Sequence, residues 1–273
     1  DIFVDAMLGT GISRDVEGQT MQIIDVVNRR NCMKVAVDIP SGLNADTGAV
    51  WGKCLNCGQT CTAPDFLLVD AKVKDELLKH MVHYVQEFYP GDIFANEDYP
   101  HIINERELDR LTGLLEGQNI LYGGKSDKAS LKLEPTFVEG GDIHTSALMK
   151  EEIFGPILPI FTYDNLEDAI RFLQDRPKPV ACYLFTRSPE VEREVMGRVP
   201  FGGGCINDTM LHTGAQIPFS GVGESGIGGG FHGKTGFETF SHRKVVLRQS
   251  NEIELPLRYA PYKKKVRLAR TLI

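Results

Sequence analysis

Three cysteines, Cys54, Cys57 and Cys61, fall within eight residues, and the last sits in the run Gly58-Gln59-Thr60-Cys61-Thr62-Ala63-Pro64-Asp65. A thiol can serve as a nucleophile, a metal ligand or a small buried hydrophobe, and its neighbours decide which. Asn56, Gln59 and Thr60 are polar, unlike a core setting. A nucleophilic thiol needs a base or a field that favours thiolate, and backbone N–H groups for the oxyanion it creates. The residues supply the thiol and a polar turn but no base. The C-x2-C-x3-C spacing lacks the second ligand pair of a structural zinc site, so one reactive thiol is expected rather than zinc.

Elements that must position this thiol follow from periodicity. Residues 1–8 read as a buried strand running into the turn Gly9-Thr10-Gly11, and residues 34–38 as another strand broken by Pro40 and Gly42. Met21, Ile23, Ile24, Val26 and Val27 fit one face of a helix between them, which makes a βαβ unit. Further along, strands are expected at 66–69, 119–122, 157–163 and 181–186, with helices at 72–88, 105–116, 166–173 and 189–196. Strand and helix alternate, so the fold class is α/β. Twelve of the 28 glycines lie between Gly202 and Gly236, interleaved with Asn207, Phe219 and His232, which suggests an ordered loop packed against a site rather than a linker.

Composition excludes several functions. Thirty basic against 37 acidic residues leave a net charge of −7, which argues against a nucleic-acid binder. No apolar run approaches the roughly 18 residues of a membrane-spanning helix. Six cysteines among 273 residues are too few for a disulfide scaffold, and no basic–apolar leader opens the sequence. A reducing, cytoplasmic setting with free thiols is expected.

The thiol segment, with Trp51-Gly52-Lys53 and Asn56 before it, resembles the catalytic segment of aldehyde dehydrogenases. Glu151-Glu152-Ile153-Phe154-Gly155-Pro156 resembles that family's second signature. Phe231-His232-Gly233-Lys234 and Phe237-Glu238-Thr239-Phe240-Ser241-His242 are similar to its class 3 branch, the fatty and aromatic aldehyde group. The resemblance implies an aldehyde-dehydrogenase-like catalytic domain over residues 52–273. It implies Cys61 as the nucleophile, forming a thiohemiacetal and then a thioester, and NAD or NADP as cofactor, with Glu152 and Phe154 against its ribose and nicotinamide. Asn207 would line the substrate pocket, with a plain turn residue as the alternative. An aldehyde substrate and a homodimer follow from the same resemblance. The family's dinucleotide-binding domain, its oxyanion Asn and its base within Glu-Leu-Gly-Gly-Lys have no counterpart in the 60 residues before Cys61, so impaired turnover is expected.

Residues 1–51 resemble a different family. Val4-Asp5-Ala6-Met7-Leu8-Gly9-Thr10-Gly11 and Val37-Asp38-Ile39-Pro40-Ser41-Gly42-Leu43-Asn44 are similar to the Rossmann-like epimerase domain of NAD(P)H-hydrate repair. That likeness implies a nucleotide loop including Gly9, Thr10, Gly11 and Asp15, with Asp38 beside it, and a potassium ion held by Asp5 and Ser41. Glycines that let backbone N–H groups approach a phosphate give such a loop its rationale. The two resemblances meet near Val50 to Gly52 without a linker, as in a chimeric chain. Three functions compete: an aldehyde oxidoreductase, an epimerase fragment and a non-catalytic remnant. The basic tail Tyr262-Lys263-Lys264-Lys265-Val266-Arg267-Leu268-Ala269-Arg270 would either lie loosely in solvent or touch an anionic membrane.

Overall fold

A computed structural model describes residues 2–5, 33–36, 45–227, 229–252, 259–262 and 265. The first two segments, β1 (Ile2–Asp5) and β2 (Met33–Ala36), pair in parallel with Ile2 opposite Met33. Parallel pairing is what a βαβ unit requires. The helix expected between them, the candidate residues Gly9, Thr10, Gly11, Asp15, Asp38 and Ser41, and the side chain of Asp5 lie outside the described residues.

Next comes α1 (Ala45–Cys54), which crosses the point where the two resemblances meet. Gly48 and Gly52 hide this helix from a periodicity reading, yet both are places of close packing. The Thr209 hydroxyl donates to the Gly48 carbonyl at 2.8 Å, and a Cβ on Gly52 would lie 2.4 Å from that hydroxyl oxygen. These contacts tie α1 to a segment more than 150 residues downstream.

The central sheet has the order β3 (Leu67–Asp70), β8 (Ile157–Tyr163), β7 (Thr136–Glu139), β4 (Ile120–Tyr122). Both junctions of β8 are parallel, and β4 joins antiparallel to β7. Ile157 through Phe161 are all buried, as a central strand covered on both faces demands. Helix α2 (Lys74–Phe88) buries Met81 and Val85 against Val50, Val69, Phe137, Leu158 and Ile160. Helix α3 (Glu105–Leu114) begins where the Asn104 side chain accepts the Glu107 N–H at 2.9 Å. Its Leu108 and Leu111 join a second apolar cluster with Cys57, Ile102, Val138, Ile153 and Ile157. A short hairpin, β5 (Ser126–Asp127) with β6 (Lys132–Leu133), leads into β7.

Helices α4 (Leu166–Asp175) and α5 (Pro189–Arg198) pack through Ile170 and Val195 and are capped by Asn165 and Ser188. Between and after them, β9 (Ala181–Leu184) and β10 (Gly203–Ile206) form a parallel pair. The glycine-rich stretch is ordered: Phe219 and Phe231 exchange backbone hydrogen bonds of 3.0 and 2.9 Å, and α6 (Gly233–Thr239) follows. The chain divides into two compact units, Asp1–Thr239 and Phe240–Ile273. Within the second, Phe240, Val245, Val246 and Leu247 are exposed. No helix among the described residues is long and apolar enough to cross a membrane.

Candidate active site

Where α1 ends, the chain makes an unusual turn. Asn56, Cys57 and Gly58 take φ values of +52°, +53° and +69° in succession. The left-handed region costs an L residue about 1–2 kcal/mol, least for glycine and asparagine. Glycine is required at 58, because a Cβ there would sit 2.4 Å from the Gly155 carbonyl oxygen. The buried Cys57 thiol donates to the Pro100 carbonyl at 2.9 Å, which anchors the second strained residue.

Gln59 holds the turn from the other side. Its amide donates to the carbonyls of Asn56 and His101, both at 3.1 Å, and its oxygen accepts the Ile103 N–H at 2.9 Å. Its own carbonyl accepts from the Asn56 side chain at 3.0 Å. A further turn closes as the Ala63 N–H donates to the Thr60 carbonyl at 3.0 Å. Cys61 and Thr62 occupy its centre, with Cys61 exposed and Thr62 buried. The tyrosine hydroxyl of Tyr183 donates to the Thr62 carbonyl at 2.7 Å. One thiol is thus presented to solvent on a backbone fixed from several directions, while burial pushes its neighbours Cys54 and Cys57 up to about 12 and 11.

The second motif docks onto the first across 88 positions of sequence. The Ile153 N–H donates to Asp65 Oδ1 at 3.0 Å, and Arg110 Nη2 donates to the Ile153 carbonyl at 2.7 Å. Glu152 and Phe154 therefore stand on a segment held to the Cys61 turn. Phe154 is 42% exposed and has φ +49°, a strained conformation for an aromatic residue. Glu152 is exposed overall, yet partial desolvation of its carboxyl and then the Asp65 charge raise it above the usual carboxylate range. Beneath them Lys53 is fully buried. Desolvation lowers it to about 8, against the opposing pull of Asp65 and Glu152.

Asn207 is 8% exposed and also left-handed, at φ +55°. Its side-chain oxygen accepts the Thr186 N–H at 2.8 Å, and its N–H donates to the Leu184 carbonyl at 2.7 Å, so it pins the end of β10 to that of β9. Beside it a ring series runs from Tyr183 to His212, Phe219 and His232, with successive centroids 5.6, 5.9 and 5.7 Å apart. Among the described residues no group of three or more His, Cys, Asp or Glu side chains could hold a metal ion.

Sequence reasoning named Cys61, Glu152 and Phe154 through their motifs alone, and the Asp65–Ile153 hydrogen bond joins the two segments that carry them. It missed Lys53, Gln59 and Tyr183 as site residues. Gln59 sat in plain view within the polar run, whereas Tyr183 lies 121 positions from its partner and gave no local signal.

The aldehyde dehydrogenase family profile matches residues 42–246, and that of the YjeF-related protein N-terminus matches residues 1–65. The chain is 44% identical over 218 residues to 4,4'-diaponeurosporen-aldehyde dehydrogenase of Staphylococcus aureus, covering 79% of this chain and 47% of that one. It is 43% identical to rat aldehyde dehydrogenase family 3 member A2 (77% of this chain, 44% of the relative). With the bovine dimeric NADP-preferring aldehyde dehydrogenase it shares 41% identity over 77% of its own length and 88% of the relative. Apart from that bovine protein, the chain spans about half the length of these relatives. Among solved structures, the substrate-bound state of Staphylococcus aureus AldH superposes with a TM-score of 0.76 at 35% identity, covering 99% of this chain and 59% of that one. A Mycobacterium tuberculosis aldehyde dehydrogenase complexed with NAD+ gives 0.64 at 27%, over 76% and 44%. With an exposed thiol on a braced turn, the second motif docked beside it and the profile spanning most of its length, the chain belongs to the aldehyde dehydrogenase family.

Proposed function

We propose that this chain carries the nucleophile half of NAD(P)-dependent aldehyde oxidation. The observation that carries the reading is Cys61, exposed at the centre of a turn whose flanks are hydrogen-bonded to three separate segments. The Cys61 sulfur adds to the aldehyde carbon, and the carbonyl oxygen becomes an oxyanion that takes up a proton. NAD(P), when bound, supplies the hydride acceptor. The residues present fit its nicotinamide end: Glu152 and Phe154 are solvent-accessible and held to the Cys61 turn through Asp65. Asn207 is buried and its hydrogen bonds to Thr186 and Leu184 hold the ends of β9 and β10 together, which supports a structural part for it in the substrate region.

The test is thiol chemistry. With p-nitrophenyl acetate the chain should show a burst of p-nitrophenolate that Cys61→Ser abolishes. A burst unchanged by that substitution would refute the assignment. Titration with NAD(P) in a calorimeter separates a cofactor-binding oxidoreductase from a non-catalytic remnant.

The profile match over residues 1–65 favours a second reading, an NAD(P)H-hydrate epimerase fragment joined near residue 51. It requires dependence on potassium, held by Asp5 and Ser41, and indifference to Cys61→Ser. The named dimeric relative supports a homodimer, which sedimentation would test. For a cytoplasmic chain touching membranes through its basic tail, an attraction of about 1 kcal/mol per basic residue near the surface should make it pellet with anionic vesicles, less so as salt rises. Equal pelleting at low and high salt would rule that contact out.

A further inference from the structure

Tyr183 is the residue whose hydroxyl the dehydrogenase reading leaves without a task. It lies on β9, with Cys205 opposite it on β10, and its ring meets His212 edge-on at 5.6 Å. These contacts fix where the ring can go. From that position the hydroxyl reaches a residue 121 positions away and donates to the Thr62 carbonyl at 2.7 Å. Thr62 is 2% exposed, so water has little access to that carbonyl. Thr60, Cys61, Thr62 and Ala63 form one turn, closed by the Ala63 N–H on the Thr60 carbonyl at 3.0 Å. The Thr62 carbonyl and the Ala63 N–H belong to one planar peptide unit, so holding that carbonyl also holds the hydrogen bond that folds the chain around Cys61.

We infer that Tyr183 is a positioning residue for the nucleophile: its hydroxyl clamps the Thr62 carbonyl and so aims the Cys61 sulfur at the incoming carbonyl carbon. It touches no reacting atom and moves no proton. Burial raises the Tyr183 hydroxyl well above the usual phenol range, which keeps it protonated, and therefore a donor, throughout the range in which thiols react. The inference rests on Cys61 being the nucleophile.

The experiment compares the wild type, Tyr183→Phe and a chain with 4-aminophenylalanine at position 183, which keeps a para N–H donor on the same ring. Two rates are read: iodoacetamide labelling of Cys61 and of Cys205, resolved by mass spectrometry in one sample, and acylation by p-nitrophenyl acetate. A displacement of about an ångström is worth up to roughly 10²-fold, so loss of one clamp should slow Cys61 labelling about tenfold. Cys205 labelling should hold its rate, and the amino variant should restore Cys61. In the ester assay the saturating acylation rate should fall while the half-saturating ester concentration stays put. Cys61 labelling at the wild-type rate in Tyr183→Phe would overturn the inference. So would equal slowing of Cys61 and Cys205, which would reduce Tyr183 to general packing. A burst that survives Cys61→Ser instead removes the nucleophile assignment, and the labelling rate still judges the clamp by itself.

Discussion

Lys53 is an ammonium group carried into the interior, eight residues before the exposed thiol. Its pKa falls from 10.5 to about 8 because burial opposes the charged form more than Asp65 and Glu152 favour it. Between those two values the unfolded chain holds a proton that the folded chain has released. Stability contributed by Lys53 therefore rises with pH across that window, by about 3 kcal/mol at 1.36 kcal/mol per unit. The cysteines act in the opposite sense. Cys54, raised by burial to about 12, and Cys57 and Cys182, raised to about 11, stay protonated in the fold after the unfolded thiols ionise near 9. They remove stability as pH rises above 9, so the wild-type curve alone is not diagnostic. The difference is: relative to Lys53→Met, the wild type should gain about 3 kcal/mol in urea unfolding between pH 8 and 10.5. A flat difference would mean that Lys53 keeps its proton in the fold. In the sequence Lys53 enters only as part of the Trp51-Gly52-Lys53 motif, with nothing to mark it as buried. Its burial follows from packing that no local pattern carries.

At the scale of elements, the regular pieces after residue 65 were legible because their apolar residues repeat at helical or strand spacing. Helix 105–114, strand 157–163, helix 166–175 and helix 189–198 all stand within two residues of where periodicity put them. The illegible ones are rich in glycine or very short. Strand β10 begins Gly203-Gly204, which reads as a loop. There a Cβ on Gly204 would lie 2.0 Å from the Cys182 carbonyl oxygen of its partner strand, so glycine is a condition of the pairing. Helix α1 was hidden for the same reason, since Gly52 admits Thr209. A double-mutant cycle tests that account. Gly52→Ala should destabilise by about 1–3 kcal/mol through overpacking, and Thr209→Ala by about 1–2 kcal/mol through its lost bond to the Gly48 carbonyl. The double variant should be more stable than the sum of the two effects implies, by at least about 1 kcal/mol, because alanine at 209 vacates the space. Strict additivity in chemical denaturation would show that α1 yields there instead.

For the whole molecule, two family likenesses in one chain could be read from motifs, and both profiles match, overlapping at residues 42–65. How the halves of the site support one another could not, because the bonds that matter join Asp65 to Ile153 and Thr62 to Tyr183. What this chain turns over depends on groups outside those bonds. No Glu-Leu-Gly-Gly-Lys occurs anywhere in its 273 residues to supply the family's base. A positioned general base is worth about 10²–10⁴-fold and one oxyanion donor about 10²–10³-fold. Lacking both would slow the reaction roughly 10⁴–10⁷-fold if the effects multiplied, and less if they are coupled. Hydride transfer would fall further wherever the acceptor is not held close to the thiohemiacetal. None of these losses touches alkylation, in which the exposed thiol displaces iodide from a saturated carbon and no oxyanion forms. The chain as it stands should therefore alkylate faster at Cys61 than at Cys54, Cys57, Cys182 or Cys205, which are buried or partly buried. Its NAD(P)-dependent oxidation of fatty and aromatic aldehydes, followed as nicotinamide absorbance, should stay near background. Oxidation at ordinary dehydrogenase rates that disappears in Cys61→Ser would overturn the prediction. It would show that another residue of this chain replaces the missing base.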